Sequence, residues 1–523
     1  MDIKFEHPQD PSFGDLSVFA KEDPEKMAEQ LENVFSEDMI KSIDIVGNFV
    51  NIFLKQEYLI KEAEKINYEM EFRNDLGKKG NSKIMIIDYS APNIAKPFGI
   101  GHLRSTNIGQ AIYNIYKILG WNCIGDNHLG DWGTQFGKLI VAIKKWAKKD
   151  VGKMTVEDLE ELYVKFHEHE DEKLLEEARD WFIKLEKGDK EASEIWKKCV
   201  DISTEEFNRV YEMLNVHIDE TLGEAFYQDK LQGVIKEMID KGITKESEGA
   251  TIVEFDDKTV ELVKKSNLSS TYFDRDMATI KYRMERWKPD LIVYEVGSDQ
   301  SLYFKHLFEA AEKMGWVPTK GFYHVAHGLI RWKDGKFSTR KGQTIHLKEI
   351  IEKTIEMAKK IAPENDEETI REIAVGAIKF NDISQDPKKD VIFDWDRMMS
   401  LDGDSGPYLQ YTYARAMSVL KKTEVLEQKD IGTENIEVNS DEMRILREVY
   451  KFKEKIAEAA ERYNPGVLAE FLLSVARKYN EFYAKNRIIG EKEEDFRVFL
   501  TRVVASLLHL GLELLGIKTV EKM

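Results

Sequence analysis

The sequence predicts an α/β protein in which a parallel sheet is interrupted by a helical insertion and followed by an all-helical C-terminal part. The first observation is the short, continuous apolar run in Lys83–Ser90, which is typical of a strand buried on both faces of a parallel sheet. The second is the order strand, loop, helix, strand over residues 83–125, which is a βαβ unit. The third is the predominance of helical patterns from about Leu347 onward.

Residues 1–80 are predicted to form a small domain of mixed strands and helices. Apolar and polar positions partly alternate in Ile43–Leu54, which predicts one or two short strands. Helices are expected over Met27–Phe35 and Glu57–Tyr68. The polar, glycine-containing stretch Lys78–Lys83 marks the first domain boundary.

Residues 81–345 are predicted to form one α/β domain that a helical insertion splits. A helix is expected from about Leu103 to Leu119, and a strand follows it. The chain then becomes long, charged and helical, and strand patterns resume near Val253. We therefore place the insertion at about residues 143–250, with the second half of the sheet after it.

The remainder is expected to be helical, as a connecting region at residues 346–400 and a helical domain at residues 401–523. Apolar residues in that domain recur at helical spacing, which favours a role in core packing. This stripe consists of Leu468, Phe471, Leu472, Val475, Ala476, Tyr479, Phe482 and Tyr483.

Length and composition exclude several classes of protein. A chain of 523 residues allows roughly three or four domains, and its net charge of −19 argues against a generally basic DNA-coating protein. Cys123 and Cys199 are the only cysteines, which excludes a disulfide framework and a Cys-rich zinc site. No apolar run approaches the roughly 18 residues of a membrane helix. We therefore expect a soluble, cytoplasmic protein.

Segment 90–106, Ser-Ala-Pro-Asn-Ile-Ala-Lys-Pro-Phe-Gly-Ile-Gly-His-Leu-Arg-Ser-Thr, joins the first predicted strand of the sheet to the next helix. Gly99 and Gly101 would let the backbone approach a nucleotide, and the helix N-terminus offers free N–H groups to phosphate. Lys96 supplies a positive charge, and His102 can donate to a phosphate oxygen. Taken alone, such a turn is more often a structural loop.

Segment 332–343, Trp-Lys-Asp-Gly-Lys-Phe-Ser-Thr-Arg-Lys-Gly-Gln, is cationic and rich in hydroxyl groups. Lys336, Ser338 and Arg340 would suit a pyrophosphate leaving group, because positioned cations stabilise its developing charge. Taken alone, an Asp-Gly turn of this kind is more often a solvated surface turn. Lys336 and His102 lie 336 − 102 = 234 positions apart, on the two halves of the split domain.

The two segments together resemble the signature sequences of class I aminoacyl-tRNA synthetases, and specifically those of arginyl-tRNA synthetases. The first matches His-x-Gly-His after Ser-x-Pro-Asn-x-x-Lys-Pro, and the second matches Lys-Met-Ser-Lys-Ser. Further matches to arginyl enzymes are Asp126–Gly137, Ser270–Arg283, Gly406–Arg415 and Leu514–Met523.

The resemblance covers almost the whole chain and implies the roles of its domains. It implies a Rossmann-type catalytic domain, a short N-terminal domain that contacts the tRNA elbow, a stem-contacting region at residues 346–400 and an α-helical anticodon-binding domain.

The resemblance also implies roles for individual residues. The catalytic residues would be Lys96, His102, Lys336, Ser338 and Arg340. ATP would contact Gly99, Gly101, His102, His128, Gly297 and Gln300. Arginine would contact Ser90, Asn93, Glu224, Tyr272, Asp276 and Gln300, with Asp276 facing the guanidinium and Asp88 near the amino end. The tRNA would contact Tyr408, Gln410, Tyr411, Arg415 and Met523.

The implied reaction joins L-arginine to tRNA(Arg). ATP and arginine would give arginyl-adenylate and pyrophosphate, and the arginyl group would then pass to the 3′-terminal adenosine of the tRNA. Mg²⁺ would accompany ATP as part of the substrate, and no zinc and no prosthetic group are expected. We expect a monomer with no membrane partner.

Three positions depart from the family pattern, and two alternatives stay open. Gly99 replaces the first signature His, Arg340 follows Thr339 in place of the second signature Lys, and Tyr303 stands where a His is usual. Because of Gly99, one alternative is a catalytically weak paralogue that binds tRNA without charging it. The other is a different class I ligase, such as a cysteinyl enzyme, against which Tyr272, Asp276 and the missing zinc ligands argue.

Overall fold

The computed structural model describes residues 3–80, 82–247, 249–264, 271–332, 346–423 and 436–523. The strands in these ranges are β1 Leu16–Phe19, β2 Ile40–Val46, β3 Phe49–Leu54, β4 Ile84–Asp88, β5 Asn122–Asp126, β6 Lys245–Ser247, β7 Ala250–Glu254, β8 Val260–Lys264, β9 Leu291–Gly297, β10 Phe322–His327, β11 Ile330–Trp332 and β12 Val391–Phe393.

The α-helices in the same ranges are α1 Pro24–Val34, α2 Gln56–Asn67, α3 Glu69–Gly77, α4 Ile100–Ile118, α5 Thr134–Trp146, α6 Val156–Glu168, α7 Glu172–Glu186, α8 Lys190–Met213, α9 Leu231–Asp240, α10 Tyr272–Trp287, α11 Ser301–Met314, α12 Leu347–Ile361, α13 Glu367–Ile383, α14 Trp395–Met398, α15 Gly406–Lys422, α16 Ser440–Val449, α17 Phe452–Glu461, α18 Gly466–Lys485 and α19 Glu494–Leu514.

The central sheet has four parallel strands in the order β10-β9-β4-β5. Strand β4 lies inside it and is covered on both faces, because Met85 and Ile87 pack into one core cluster and Ile86 into another. This double burial explains the continuous apolar run in the sequence. The predicted βαβ unit is confirmed as β4, α4 and β5.

The N-terminal unit is an antiparallel sheet of order β1-β3-β2 with helices packed on it. The two strands predicted over Ile43–Leu54 are confirmed, and Gly47 turns between them with a φ of 60°. Several polar contacts tie the unit to the C-terminal helices, and two of them involve residues near its start. Arg447 lies 2.8 Å from Asp15, and His7 Nε2 lies 2.8 Å from Glu454.

Helices α5 to α9 separate the two halves of the parallel sheet, as predicted. The first of them begins at Thr134, earlier than the predicted start of the insertion at 143. A small antiparallel sheet of order β6-β7-β8 follows them.

The described chain after Leu347 is mainly helical, as predicted, and contains one short strand. Strand β12, Val391–Phe393, pairs in parallel with β11, Ile330–Trp332. The partner lies about sixty residues away in the sequence, so local periodicity cannot show this three-residue strand.

The C-terminal domain is a bundle of α15 to α19. Seven members of the predicted apolar stripe are buried, and the eighth, Tyr483, is 40% exposed. The bundle shares one continuous core with the face of the central sheet formed by Met85 and Ile87. In the ranges that the structure describes, no helix is long and apolar enough to cross a membrane.

Candidate active site

The predicted site segments meet at the carboxyl ends of the parallel strands. β4 ends at Asp88, β5 at Asp126 and β9 at Gly297, and the loops that carry the predicted residues begin there. In open α/β sheets this edge is where ligands bind. The fold therefore gathers segments that are up to two hundred residues apart in the sequence.

The loop between β4 and α4 holds an unusual backbone conformation. Ser90, Ala91 and Ala95 have φ angles of 73°, 43° and 62°, a region that residues other than glycine rarely adopt. Strain of this kind persists only where the surroundings fix it, and it clusters at functional sites. Three backbone N–H groups of the loop donate hydrogen bonds to other elements: Ser90 to Ser105 Oγ at 2.9 Å, Ala91 to Asn127 Oδ1 at 3.0 Å, and Ala95 to Ser203 Oγ at 2.9 Å.

Gly99 and His102 form the N-terminus of α4. Gly99 has φ −93° and ψ 164°, an extended conformation open to any residue, so the loop does not need glycine here for its φ angle. His102 Nδ1 accepts a hydrogen bond from the Gly99 N–H at 3.3 Å. Burial, and then the nearby charge of Lys96, lower the pKa of His102 to about 4. The imidazole is therefore neutral at pH 7, with Nε2–H free of the loop and able to donate to an anion.

Three predicted residues line one cavity of about 200 Å³. These are Asn93, Lys96 and Tyr272, from the β4–α4 loop and the start of α10. Gln135 lines the same cavity, and sequence analysis did not assign it a role, although it lies in the family-specific segment Asp126–Gly137. The structure thus brings the predicted phosphate-directed lysine next to the predicted arginine-binding residues.

Asp276 lies one helical turn after Tyr272 on the same face of α10. Tyr303 donates a hydrogen bond from its hydroxyl group to Asp276 Oδ2. On the other side, His128 Nε2 lies 3.7 Å from Asp276 Oδ1. Burial raises the pKa of Asp276. His128, predicted to border ATP, therefore lies beside the carboxylate predicted to bind the guanidinium.

Glu224 is a second buried carboxylate near this place. Its Oε2 lies 3.3 Å from the Nε of Arg275, and the Arg275 guanidinium lies over the Tyr272 ring at 4.7 Å. Burial raises the pKa of Glu224 to about 8, Arg275 opposes that rise, and Asp276 adds to it. Asp131, another residue that sequence analysis missed, has its pKa raised to about 6 by burial.

Ser90 and Asp88 occupy the floor of the crevice. Ser90 Oγ lies 2.8 Å from the Tyr211 hydroxyl and accepts a hydrogen bond from Thr106 at 2.9 Å. Asp88 accepts a hydrogen bond from Arg283 at 2.6 Å, and Asp126 shares that guanidinium at 2.7 Å. Both predicted residues are thus engaged with protein partners, and their proposed contact with the substrate's amino end stays a prediction.

Of the residues predicted to contact ATP, Gly101 and Gln300 are exposed. A side chain on Gly101 would meet no atom within 4 Å, whereas one on Gly297 would come within 2.6 Å of Asp299 Oδ1. Gln300 is exposed at the start of α11. These positions leave space above the sheet edge for a ligand.

Lys336, Ser338 and Arg340 lie outside the described residues. The described chain ends at Trp332 in β11 and resumes at His346, whose backbone pairs with that of Gly99. The Leu347 N–H also donates to the Phe98 carbonyl at 3.0 Å. The chain that follows the second segment is therefore attached to the first.

The residues predicted to bind tRNA lie on α15 and at the C-terminus. Tyr411 and Arg415 are partly exposed, and the Arg415 guanidinium lies over the rings of Tyr411 at 4.7 Å and Tyr483 at 5.0 Å. Gln410 is fully buried and donates to the carbonyls of Glu372 and Lys518.

Tyr408 and Met523 also contact the protein core. The Tyr408 hydroxyl accepts from Asn480 at 3.0 Å, and Met523 packs against the core cluster that the insertion shares with α12 and α13. Tyr411 and Arg415 are thus the members of the set best placed to meet a ligand.

Comparison with known proteins matches both halves of the chain to family models. Residues 67–395 match the class I tRNA synthetase (R) catalytic domain, and residues 409–523 match the DALR anticodon binding domain. An arginine–tRNA ligase of Halothermothrix orenii is 38% identical, over 99% of this chain and 95% of its own length. One of Clostridioides difficile is 39% identical, over 98% of this chain and 93% of its own length.

The chain belongs to the arginine–tRNA ligase family. Its fold agrees with that of the Thermus thermophilus arginyl-tRNA synthetase, with a TM-score of 0.85, 22% identity and coverage of 100% of this chain and 96% of the other. The Plasmodium falciparum arginyl-tRNA synthetase gives a TM-score of 0.83 at 24% identity, with coverage of 100% and 95%.

Membership of the arginine–tRNA ligases decides between the readings left open by the sequence. The chain is an aminoacyl-tRNA synthetase, and nothing in the comparisons favours a catalytically weak paralogue or a cysteinyl enzyme. The predicted fold, a class I catalytic domain followed by an α-helical anticodon-binding domain, is confirmed.

Proposed function

We propose that this chain activates L-arginine with ATP and transfers it to tRNA(Arg), using the side chains gathered at the carboxyl edge of the central sheet. The observation that supports this most directly is the single cavity lined by Asn93, Lys96 and Tyr272, one turn of α10 away from Asp276. A cationic side chain that can bind phosphate, Lys96, then lies near an anionic side chain that can bind a guanidinium, Asp276. That is the arrangement needed to hold the arginine carboxylate against the α-phosphate of ATP.

The phosphate side of the site would act by positioning and by charge. The neutral His102 would donate from Nε2, and the free N–H groups at the start of α4 would point at the same oxygens. Lys96, which is exposed and 5.8 Å from the Tyr163 ring, would supply the positive charge. In-line displacement of pyrophosphate needs such positioned donors more than covalent catalysis.

The arginine side would use two carboxylates for one guanidinium. Asp276 is fixed by Tyr303, and Glu224 already forms an ion pair with a guanidinium, since its Oε2 lies 3.3 Å from the Nε of Arg275. Carboxylates match the planar fork of guanidinium donors. Asn93 and Gln300 would hold the amino-acid end, toward the phosphates.

Mg²⁺ would enter with ATP. In the described ranges, one group of residues has the spacing to hold a metal ion, Glu69, His509 and Glu513, and these come from α3 and α19, away from the loops that follow β4 and β5. The ion would neutralise charge on the triphosphate, which suits the reluctance of Mg²⁺ to give up its water and phosphate oxygens for a protein cage.

We also propose that the chain works as a monomer in the cytoplasm, where it takes tRNA from the pool used for translation. One chain supplies the phosphate loop, the two carboxylates and the helical bundle. Tyr411 and Arg415 would stack on unpaired anticodon bases, because aromatic rings and guanidinium planes suit such contacts.

The direct experiment is tRNA charging by the purified protein with arginine and ATP. We expect arginylation that Arg415→Ala weakens through the KM for tRNA, with arginine activation unchanged. Light scattering during chromatography would give the mass in solution, and a value near 60.7 kDa would support the monomer. Failure to charge tRNA(Arg) would overturn the proposal.

A further inference from the structure

Asp276 is held from two sides by uncharged side chains. Tyr303, from α11, donates to Oδ2, and His128, from the loop after β5, places Nε2 3.7 Å from Oδ1. Among the described residues, Tyr303 is the hydrogen-bond donor to this carboxylate. Asp276 Oδ1 therefore retains acceptor capacity on the side that His128 faces.

The tautomer of His128 is set by the backbone. Its Nδ1 lies 3.0 Å from the carbonyl oxygen of Leu222, which can only accept, so Nδ1 carries a proton and donates it. In the neutral imidazole, Nε2 then carries no proton, and its lone pair can accept a hydrogen bond.

Burial disfavours the charged form of His128. Burial lowers its pKa, Arg283 lowers it further, and Asp276 and Asp126 oppose that shift. The neighbouring Tyr227 ring, 5.6 Å from the imidazole, adds an apolar wall.

His128 Nε2 and Asp276 Oδ1 therefore face one another across 3.7 Å, a separation too long for a hydrogen bond between them. Both atoms can accept hydrogen bonds, and a ligand that presents two N–H groups on one planar edge would satisfy them together. A guanidinium does this, whereas a urea group replaces one N–H₂ by a carbonyl oxygen and would bring a third acceptor to the same place.

We propose that His128 is a specificity-determining residue that accepts an N–H of the substrate guanidinium beside Asp276, and that Tyr303 is the positioning residue that orients the carboxylate for it. This inference rests on the proposed function, since it names a further recognition element of the same arginine site. Rejection of neutral urea analogues of arginine would then come from the imidazole as well as from the carboxylates. An acceptor left unpaired or opposed to another acceptor is costly in a closed site.

The first test changes the acceptor alone. His128→Gln places an amide near Nε2 that can present either oxygen or N–H, and His128→Ala removes the acceptor. Arginine KM and the inhibition constant of citrulline, the urea analogue, would be measured in ATP–pyrophosphate exchange with tRNA present. For His128→Ala we expect arginine KM to rise by about tenfold or more, as for loss of a partner of a charged group.

The expected result for His128→Gln separates specificity from a structural role. Arginine KM should rise, and citrulline should inhibit more strongly, so that discrimination between the two falls by about tenfold. A structural role for His128 would weaken both ligands together and leave their ratio unchanged. A ratio within twofold of that of the natural protein in His128→Gln, or an unchanged arginine KM in His128→Ala, would overturn the proposal.

The second test removes one hydroxyl group. Tyr303→Phe should raise arginine KM by about three- to tenfold, the worth of one hydrogen bond, and leave the KM of ATP unchanged. Tyr282→Phe is the matched control, because Tyr282 is on α10 and packs among the rings of Phe226 and Trp287. It should change neither constant. Equal effects of the two substitutions would remove Tyr303 from the recognition of arginine.

Failure of this inference is distinguishable from failure of the proposed function. If the natural protein does not activate arginine at all, the proposed function is wrong. If it activates arginine normally and the His128 and Tyr303 variants keep its constants, only the acceptor pair is wrong.

Discussion

His102 accepts a hydrogen bond at Nδ1 from the backbone N–H of Gly99, the residue at the place of the first His in the signature that this loop resembles. The distance is 3.3 Å, and the contact leaves the proton of the neutral ring on Nε2. The backbone of Gly99 thus orients the imidazole of His102, although Gly99 itself has no side chain. We therefore propose that the phosphate-directed chemistry depends on His102, Lys96 and the N-terminus of α4.

We predict that His102→Ala lowers the rate of adenylate formation by about 10²–10³, the usual cost of removing one positioned donor. Because burial lowers the pKa of His102 to about 4, the ring stays neutral from pH 8 down to about pH 5. The contribution of His102 to the rate of adenylate formation should therefore not change with pH over that range. Pyrophosphate exchange at several pH values measures both the loss of rate in His102→Ala and the pH dependence of the natural protein. A titration near pH 6.5 that His102→Ala abolishes would contradict this account.

Gly99→His is predicted to be at least as fast as the natural protein in adenylate formation. The extended backbone at Gly99 accepts a side chain without φ strain, and a second imidazole adds a donor for phosphate. Pyrophosphate exchange with tRNA present would compare the natural protein, Gly99→His and His102→Ala. A slower Gly99→His protein would show that the loop depends on glycine. If the natural protein were as inactive as His102→Ala and Gly99→His restored it, the chain would be a disabled synthetase.

Asp276→Ala should raise arginine KM by about tenfold to a hundredfold, because a charge-assisted bidentate partner is worth about 1.5–3 kcal/mol. ATP binding should remain, since Asp276 is not among the residues predicted to contact ATP. Arginine and ATP affinities would be measured separately by calorimetry. An unchanged arginine affinity would remove Asp276 from the guanidinium site.

Arginine binding is predicted to release a proton near pH 7. Burial raises the pKa of Glu224 from 4.5 to about 8, so the free enzyme holds this carboxyl largely protonated at neutral pH. A bound guanidinium favours the carboxylate and expels the proton. Arginine affinity should therefore rise as pH goes from 6 to 8 and then level off.

Calorimetry in buffers of different ionisation enthalpy counts that proton directly. Glu224→Gln is the control and should bind arginine with a weaker dependence on pH. Proton uptake on binding would have the wrong sign for this explanation.

Asp382→Ala should lower the free energy of unfolding by about 3–5 kcal/mol, because it leaves the Arg104 guanidinium buried without its carboxylate. The pair is 2.9 Å apart, and both side chains are at most 2% exposed. Glu205→Ala is the control, since Glu205 and Arg209 form an exposed pair on α8 that should contribute less than about 1 kcal/mol. Denaturant unfolding compares them. Equal losses of unfolding free energy in the two variants would show that burial of the ion pair does not determine the cost of breaking it.

The sequence predicted those elements whose pattern is local. The apolar run Ile84–Ile87 predicted a strand buried on both faces, and the structure covers both faces of β4. The apolar stripe likewise predicted α18. Strand β12 was missed because its pairing with β11 depends on a distant segment.

The sequence identified candidate site residues but not the contacts between them. Asn93, Lys96 and Tyr272 line one cavity, and their roles stay predictions. The contact of Tyr303 with Asp276, and the position of His128 beside the same carboxylate, depend on how α11 and the β5 loop approach α10. No spacing along the chain encodes that approach. The burial of Gln410 is likewise a property of packing between α13 and α15.

Removal of the residues from about 405 onward is not expected to leave the α/β domain intact. Helix α15 and the bundle behind it share a core with the central sheet, so such a deletion would expose buried apolar surface on β4 and α4. Point substitutions such as Arg415→Ala are the better probe of tRNA recognition.

The most direct test of the central claim is aminoacylation of total tRNA by the purified protein, with each standard amino acid offered in turn. We predict charging with arginine and with no other amino acid, dependent on ATP, and lowered by about 10²–10³ in His102→Ala. Charging with another amino acid, or arginine charging that His102→Ala leaves unchanged, would contradict the assignment of both the substrate and the catalytic loop.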